Sequence, residues 1–341
     1  MRRTLWYADA SSGPDLEVGS GLFARRRLAH TWAVPARSAA HLACGTAAPA
    51  ACGLCWIRAI SGQLSIFATT GYLADAAARI APDAEVFTMV GTGGDPHTYQ
   101  ASTRDVQRLQ EADLVLWTGL DLEAPLVDTL ETLGERQYAV GEHISAELLL
   151  VWPETAGTAH EVIDPHVWNS PDAWSEVVGL IAEQFAVLDP GSAGQYRENA
   201  AVFQADIEAV AADATELLES VPADRRVLIT GHDAFNYFGQ TFGFEVYATD
   251  FLSTEAALSP RELSGLADLI VSQQVPVIFQ DSQANPQAIT SLQEAVAARG
   301  WEVQVSGREL YADSMGVEAP VNNYLGVFLH NAQTVAEGLG N

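Results

Sequence analysis

Lysine is absent from this chain. All 17 basic residues are arginine, set against 44 acids in 341 residues, so the formal charge is −27 and the pI about 4.4. Seven of the arginines precede residue 60, which leaves ten against 41 acids in the rest. Such a body repels nucleic acid and anionic membrane surfaces and tolerates or attracts cations. Cysteine is scarce too: Cys44, Cys52 and Cys55 are the only three. The chain beyond residue 60 therefore has no disulfide framework and no thiolate metal site. Cys52 and Cys55 form a C-x-x-C, but no second pair accompanies it, as a structural zinc site of that kind would need. No stretch of the body reaches the roughly 18 consecutive apolar residues of a membrane span. H-E-x-x-H and the nucleophile-elbow pattern are also missing, which removes two common hydrolase signatures.

Residues 1–60 lack the rhythm of the body. Arg25-Arg26-Arg27 precedes a weakly apolar, alanine-rich run to Cys44, the form of a leader with a cationic start. Leu42-Ala43-Cys44-Gly45 resembles a lipid-attachment site. A tail from a mis-assigned start codon is the other reading.

From residue 61 onward, short apolar strands alternate with helices. Leu64–Ala68, Glu85–Val90, Leu114–Trp117 and Tyr138–Val140 read as strands, with helices over Tyr72–Ile80, Asp105–Ala112 and Asp172–Phe185. Residues 190–220 differ. Tyr196, Ala200, Phe203, Ile207, Val210, Leu217 and Leu218 recur at helical spacing with no interruption by proline after Pro190. Such a helix spans roughly 40 Å at 1.5 Å per residue, a stiff connector. Alternation then resumes, with strands at Val227–Thr230, Val246–Ala248, Val277–Phe279 and Val303–Val305, a helix over Ala234–Phe238, and a last helix from about Tyr324. The expectation is an α/β protein of two lobes with mostly parallel sheets: residues 61–189, a connecting helix at 190–221, and residues 222–341. In such sheets ligands bind beyond the carboxyl ends of the strands.

Asp-Pro-His occurs twice, at Asp95-Pro96-His97 and Asp164-Pro165-His166, followed each time by an aromatic, Tyr99 or Trp168. At ordinary usage, chance gives roughly 0.02 such triplets in a chain of this length, so two copies need a cause. Proline fixes φ and keeps the preceding residue out of helix, so each copy is a stiff turn presenting an imidazole, the commonest metal-ligating side chain. His232, in Gly231-His232-Asp233, stands where a strand turns into a helix. Asp313, in Tyr311-Ala312-Asp313-Ser314-Met315-Gly316, follows the last strand. Three imidazoles and one carboxylate suit a divalent first-row ion such as Zn2+ or Mn2+. Two of the four precede the long helix and two follow it, which puts the metal in the cleft between lobes. Asp95 and Asp164 are expected to close turns or orient the loops. His30, His41, His143, His160 and His330 receive no role.

These motifs carry a resemblance. Asp95-Pro96-His97-Thr98-Tyr99 with Asp105, Ala112-Asp113-Leu114-Val115, Gly119 and Leu122-Glu123 is similar to the first signature of the solute receptors that serve zinc and manganese ABC importers. Asp164–Trp168 resembles their second, Thr230–Phe238 their third, and Tyr311–Gly316 with Tyr324 and Asn331 their fourth. The likeness covers about residues 62–339. It implies two α/β lobes joined by one long helix, and His97, His166, His232 and Asp313 as ligands of Zn2+ or Mn2+ carried as cargo. It further implies a monomer outside the cytoplasm, anchored by lipid if at all, with a permease and an ATPase as partners, no nucleic acid, and no enzymatic activity. Ala101-Ser102 and Thr118-Gly119 depart from the family pattern without touching these residues. The loop before Asp164 has only His160, unlike the His-rich loop of many zinc receptors, while His232 stands where many manganese receptors have Glu. The two clues point to opposite metals.

Two other classes are compatible with a metal-binding cluster. In a zinc hydrolase, Asp313 would be a general base rather than a ligand, with Asp233 or Glu123 as further candidates. In a surface adhesin, the metal would be only a staple.

Overall fold

A computed structural model describes residues 63–250, 258–283 and 285–340; residues 1–60, with their leader and cysteine readings, lie outside the described residues. The first lobe is built on β1 (Ser65–Ala68), β2 (Glu85–Thr88), β3 (Leu114–Trp117) and β4 (Gln137–Ala139). They form one parallel sheet in the order β2-β1-β3-β4. Every residue of β3 is buried, as a central strand of a covered parallel sheet requires. The helices begin on side-chain caps. Thr70 starts α1 (Gly71–Ile80), and Ser102 with Asp105 makes a capping box for α2 (Thr103–Glu111). A short α3 (Val127–Glu131) follows, and α4 (Pro171–Leu188) opens on a Ser170 cap with proline at its first position.

The long helix is α5 (Ala193–Glu219), 27 residues. Its buried stripe is Tyr196, Ala200, Phe203, Ile207, Val210, Ala214 and Leu218, and it lies against α1 and α4. It is the expected connector, and it is packed along its length as a spine. The second lobe comprises β5 (Val227–Thr230), α6 (Asn236–Phe242), β6 (Glu245–Ala248), α7 (Pro260–Gln273), β7 (Val277–Ile278), α8 (Pro286–Ala297) and β8 (Gln304–Val305). β5 pairs with β6 and β7 with β8, all parallel, and a parallel bridge from Thr230 to Phe279 joins the two pairs. The resulting order, β6-β5-β7-β8, repeats that of the first lobe. The chain ends on α9 (Tyr324–Leu339), which returns to pack along α5.

The elements agree with the sequence reading to within a few residues. The clearest differences are α3, α7 and α8, which the sequence reading did not name, and α6 starts at Asn236 instead of Ala234. Backbone groups there are used otherwise: the Thr230 hydroxyl donates to the His232 carbonyl, and the Ala234 carbonyl accepts from the Asn169 side chain.

One apolar cluster runs under both lobes. It holds Ile66, Tyr72 and Leu116 of the first, Trp174 and Phe203 of α4 and α5, Leu228, Phe238 and Phe279 of the second, and Tyr324, Phe328 and Val335 of α9. Smaller cores lie on the outer sides of the two sheets. No described helix is long and apolar enough to cross a membrane.

Candidate metal centre

The loops beyond the carboxyl ends of the strands meet in the cleft. His97 lies on the loop from β2 to α2, and His166 on the segment between β4 and α4. His232 directly follows β5, and Asp313 follows β8. Both tripeptides fold alike: Asp95 Oδ1 accepts the His97 backbone N–H at 2.8 Å, and Asp164 Oδ1 accepts that of His166 at 2.9 Å. The aromatic residue behind each tethers its loop. Tyr99 donates to Asp105 Oδ2 at 3.0 Å, and Trp168 donates its Nε1–H to the Ala312 carbonyl at 2.8 Å. Tyr72 donates to the same carbonyl at 3.1 Å. The residue before Asp313 is thus pinned twice to the first lobe.

All four expected residues come together, with one donor atom from each lying within 4.8 Å of the others. His166 Nε2 is 3.3 Å from His97 Nε2 and 3.2 Å from His232 Nε2. Asp313 Oδ1 lies 3.4 Å from His166 Nε2, and its Oδ2 lies 3.3 Å from His232 Nε2 and 3.7 Å from His97 Nε2. Ligand atoms around a tetrahedral ion with bonds of about 2.0–2.1 Å are about 3.3–3.4 Å apart. The spacing fits a first-row divalent cation held by these four side chains.

The site is almost dry. His166 and His232 are 0%, Asp313 1% and His97 5% exposed. Neither carboxylate oxygen of Asp313 has a hydrogen-bond partner. An isolated buried carboxylate costs several kcal/mol, so this one needs a cation beside it. Without metal, the surroundings push His166 and His232 toward their protonated forms and His97 away from it. Burial pushes His97 down to about 4 against the pull of Asp313. At His166 burial acts the same way, but the charge and hydrogen bond of Asp164, with Asp313, outweigh it and lift the value to about 10. Burial also opposes a proton on His232, yet the Asp313 charge wins and raises it. Burial works against ionisation of Asp313, and His232 and His166 overcome it, holding its carboxyl well below the usual range.

A layer of acids supports the imidazoles. Asp164 Oδ1 accepts the His166 Nδ1–H at 2.7 Å, and its Oδ2 accepts from Asn236 at 3.1 Å. Asp281 Oδ2 accepts the His232 backbone N–H at 2.8 Å, and burial pushes its carboxyl up to about 6. The sequence reading missed Asp281. Its signal was an acid two residues past the apolar strand Val277-Ile278-Phe279. Asp233 and Glu123, the other candidate bases, stand outside the four-donor set. Asp233 accepts from Trp152 Nε1 at 2.6 Å and from Asn236 at 2.9 Å. Glu123 accepts from the Thr69 hydroxyl at 2.6 Å and from the Thr118 and Gly119 N–H groups at 2.8 and 3.1 Å, closing the loop after β3. His143 and His330 bond backbone carbonyls, as residues without a site role would.

Comparison with known proteins agrees with this geometry. Residues 66–338 match the family described as zinc-uptake complex component A, periplasmic. The manganese-binding lipoprotein MntA of Bacillus subtilis is 35% identical over 281 residues, covering 81% of this chain and 90% of that protein. The zinc-binding protein TroA of Treponema pallidum is also 35% identical, over 285 residues, covering 82% and 90%. The solved structure of that periplasmic zinc binding protein superposes with a TM-score of 0.77 over 82% of this chain and 99% of its own. The family consists of solute-binding proteins, not enzymes, and nothing favours the hydrolase or adhesin readings. The chain belongs to the periplasmic zinc-uptake component A family of metal solute-binding proteins.

Proposed function

We propose that this protein captures a divalent transition metal, Zn2+ or Mn2+, outside the cytoplasm and hands it to an ABC importer of permease and ATPase. His97, His166 and His232 bind through Nε2, and Asp313 through its carboxylate. The observation that carries this reading is the buried Asp313 carboxylate, unbonded and ringed by three imidazole nitrogens at 3.3–3.7 Å. Two relatives of equal identity are named for different metals, manganese and zinc, so family likeness alone does not choose between them. The test is calorimetry on the stripped protein refilled with Zn2+ or Mn2+, followed by anomalous scattering from crystals of the loaded form. Absence of binding to either metal defeats the proposal.

Three finer readings belong with it. The four donors come from one chain, which supports action as a monomer. The lobes, residues 61–189 and 222–341 about the connector 190–221, close by a small movement, because one apolar core lies beneath both. Cys44 carries a lipid anchor, in keeping with relatives named as lipoproteins. Mass spectrometry of the mature chain tests that anchor; an unmodified Cys44, or a mature chain that lacks it, rules it out.

A further inference from the structure

Gln283 bridges two loops beside the centre. Its Oε1 accepts the Asp313 backbone N–H at 3.3 Å and the Ser282 hydroxyl at 2.6 Å. Its Nε2 donates to the Gly94 carbonyl at 3.2 Å and to Ser314 Oγ at 3.1 Å. Ser314 Oγ also accepts the Gly93 N–H at 3.0 Å. One side chain of the second lobe thus touches both the residue bearing the buried carboxylate and the first-lobe loop that leads into His97.

Where this network sits gives it a role. Among the four residues of the centre, His97 is the most exposed, at 5% against 1% for Asp313 and 0% for His166 and His232. The loop that carries His97 is therefore the side of the centre nearest solvent, and it is the one Gln283 grips. That loop is shaped for the grip. Gly93 has a φ of 72°, and a Cβ on Gly94 would meet Val90 Cγ1 at 2.7 Å. Both positions need glycine, and the conformation they allow offers adjacent groups, the Gly93 N–H and the Gly94 carbonyl, to Ser314 and Gln283. The core beneath the site is apolar and continuous, whereas the loops on the His97 side are joined by neutral hydrogen bonds. Such bonds exchange with water at little net cost, so this side resists separation less than the apolar core does.

We propose that Gln283 is a positioning residue that latches the His97 loop to the Asp313 loop and so sets the rate at which the bound metal leaves. The proposal rests on the metal-capture reading above and adds a kinetic gate to it. Removing the two donor bonds of Gln283 accelerates release about tenfold, the change that one to two neutral hydrogen bonds carry. Association changes little, since mutational effects of this kind fall mainly on dissociation.

The experiment is stopped-flow release of Zn2+ into excess chelator from the full chain, its Gln283→Ala and Gln283→Glu variants, and Ser314→Ala. Glu keeps an oxygen for the Asp313 N–H but has no donor for Gly94. All three variants are expected to release Zn2+ about tenfold faster, with association within about threefold and the melting temperature of the metal-free form unchanged. Wild-type release rates in the variants overturn the latch while leaving the four-residue centre standing. Faster release with an equal loss of metal-free stability also overturns it, because that pattern marks a general structural role. A wild-type chain that takes up no Zn2+ or Mn2+ defeats the metal-capture reading itself, and is told apart because no release signal exists to compare.

Discussion

His166 donates both its backbone N–H and its ring Nδ1–H to one oxygen, Asp164 Oδ1, at 2.9 and 2.7 Å. The carboxylate two residues upstream therefore fixes the turn and the ring together, leaving Nε2 to face the cleft. Substitution of Asp164 by Asn removes the charge and sets an amide N–H against the Asn236 amide. Supporting groups of this kind are worth about 10–100-fold in metal affinity, and Asp164→Asn is expected to lose that much in a competition titration. A change below about threefold contradicts the role.

His232 contributes from the second lobe and rests on Asp281. Loss of a ligand costs more than loss of its support, so His232→Ala is expected to weaken Zn2+ binding by more than about 100-fold. Asp281→Asn sets an amide N–H against either the His232 or the Gln283 backbone N–H, both of which now donate to the carboxylate. It is expected to fall about 10–100-fold. Calorimetry on both variants checks the order. Wild-type affinity in His232→Ala removes that residue from the site.

Glu123 makes the opposite prediction. It is fully buried and spends its oxygens on three donors of the first lobe. In Glu123→Gln one donor faces an N–H instead of an oxygen, a loss of about 1–3 kcal/mol. Thermal melting is expected to fall while Zn2+ affinity stays within about threefold. Loss of affinity at unchanged stability would show that the residue acts at the site.

Stability should depend on pH through the same imidazoles. His166, held at about 10 once Asp164 and Asp313 outweigh burial, adds stability to the metal-free protein. That contribution is complete below the unfolded value of about 6.5 and is lost as pH rises through about 10. His232, also raised, acts in the same direction. His97, held at about 4, stays neutral above about 6.5 and adds no slope there. Metal must displace the bound protons. The rise in melting temperature on adding Zn2+ is therefore expected to grow between about pH 6.5 and 8.5. Calorimetric melts of stripped and loaded protein check it, and a constant shift across that range contradicts it.

Of the four clustered residues, three were legible because they sit in recognisable contexts. A repeated tripeptide marked His97 and His166, and a strand-to-helix junction marked His232. The long helix was legible from an unbroken 3.6-residue period. Asp281, Gln283 and Ser314 carried no comparable pattern. Their partners lie 49, 189 and 221 residues away in sequence: the Thr230–Phe279 bridge sets Asp281 beside His232, and the other two contacts cross from the second lobe to the first. Periodicity also showed which face of α5 is buried, but not that α9 covers part of it. The connector read from the sequence is there, and the structure adds that it is the spine of a core shared by both lobes.

That core has a consequence for how the chain becomes a protein. Tyr324, Phe328 and Val335 belong to the last helix, yet they pack in the same cluster as Ile66 and Tyr72 of the first strand and helix. The Asp75 carboxylate of α1 accepts the Tyr324 backbone N–H at 3.0 Å, 249 residues away. An emerging polypeptide cannot finish its central core until its final 16-residue helix has arrived. Completion of that core is thereby tied to completion of the chain, and the first lobe alone lacks part of its own packing.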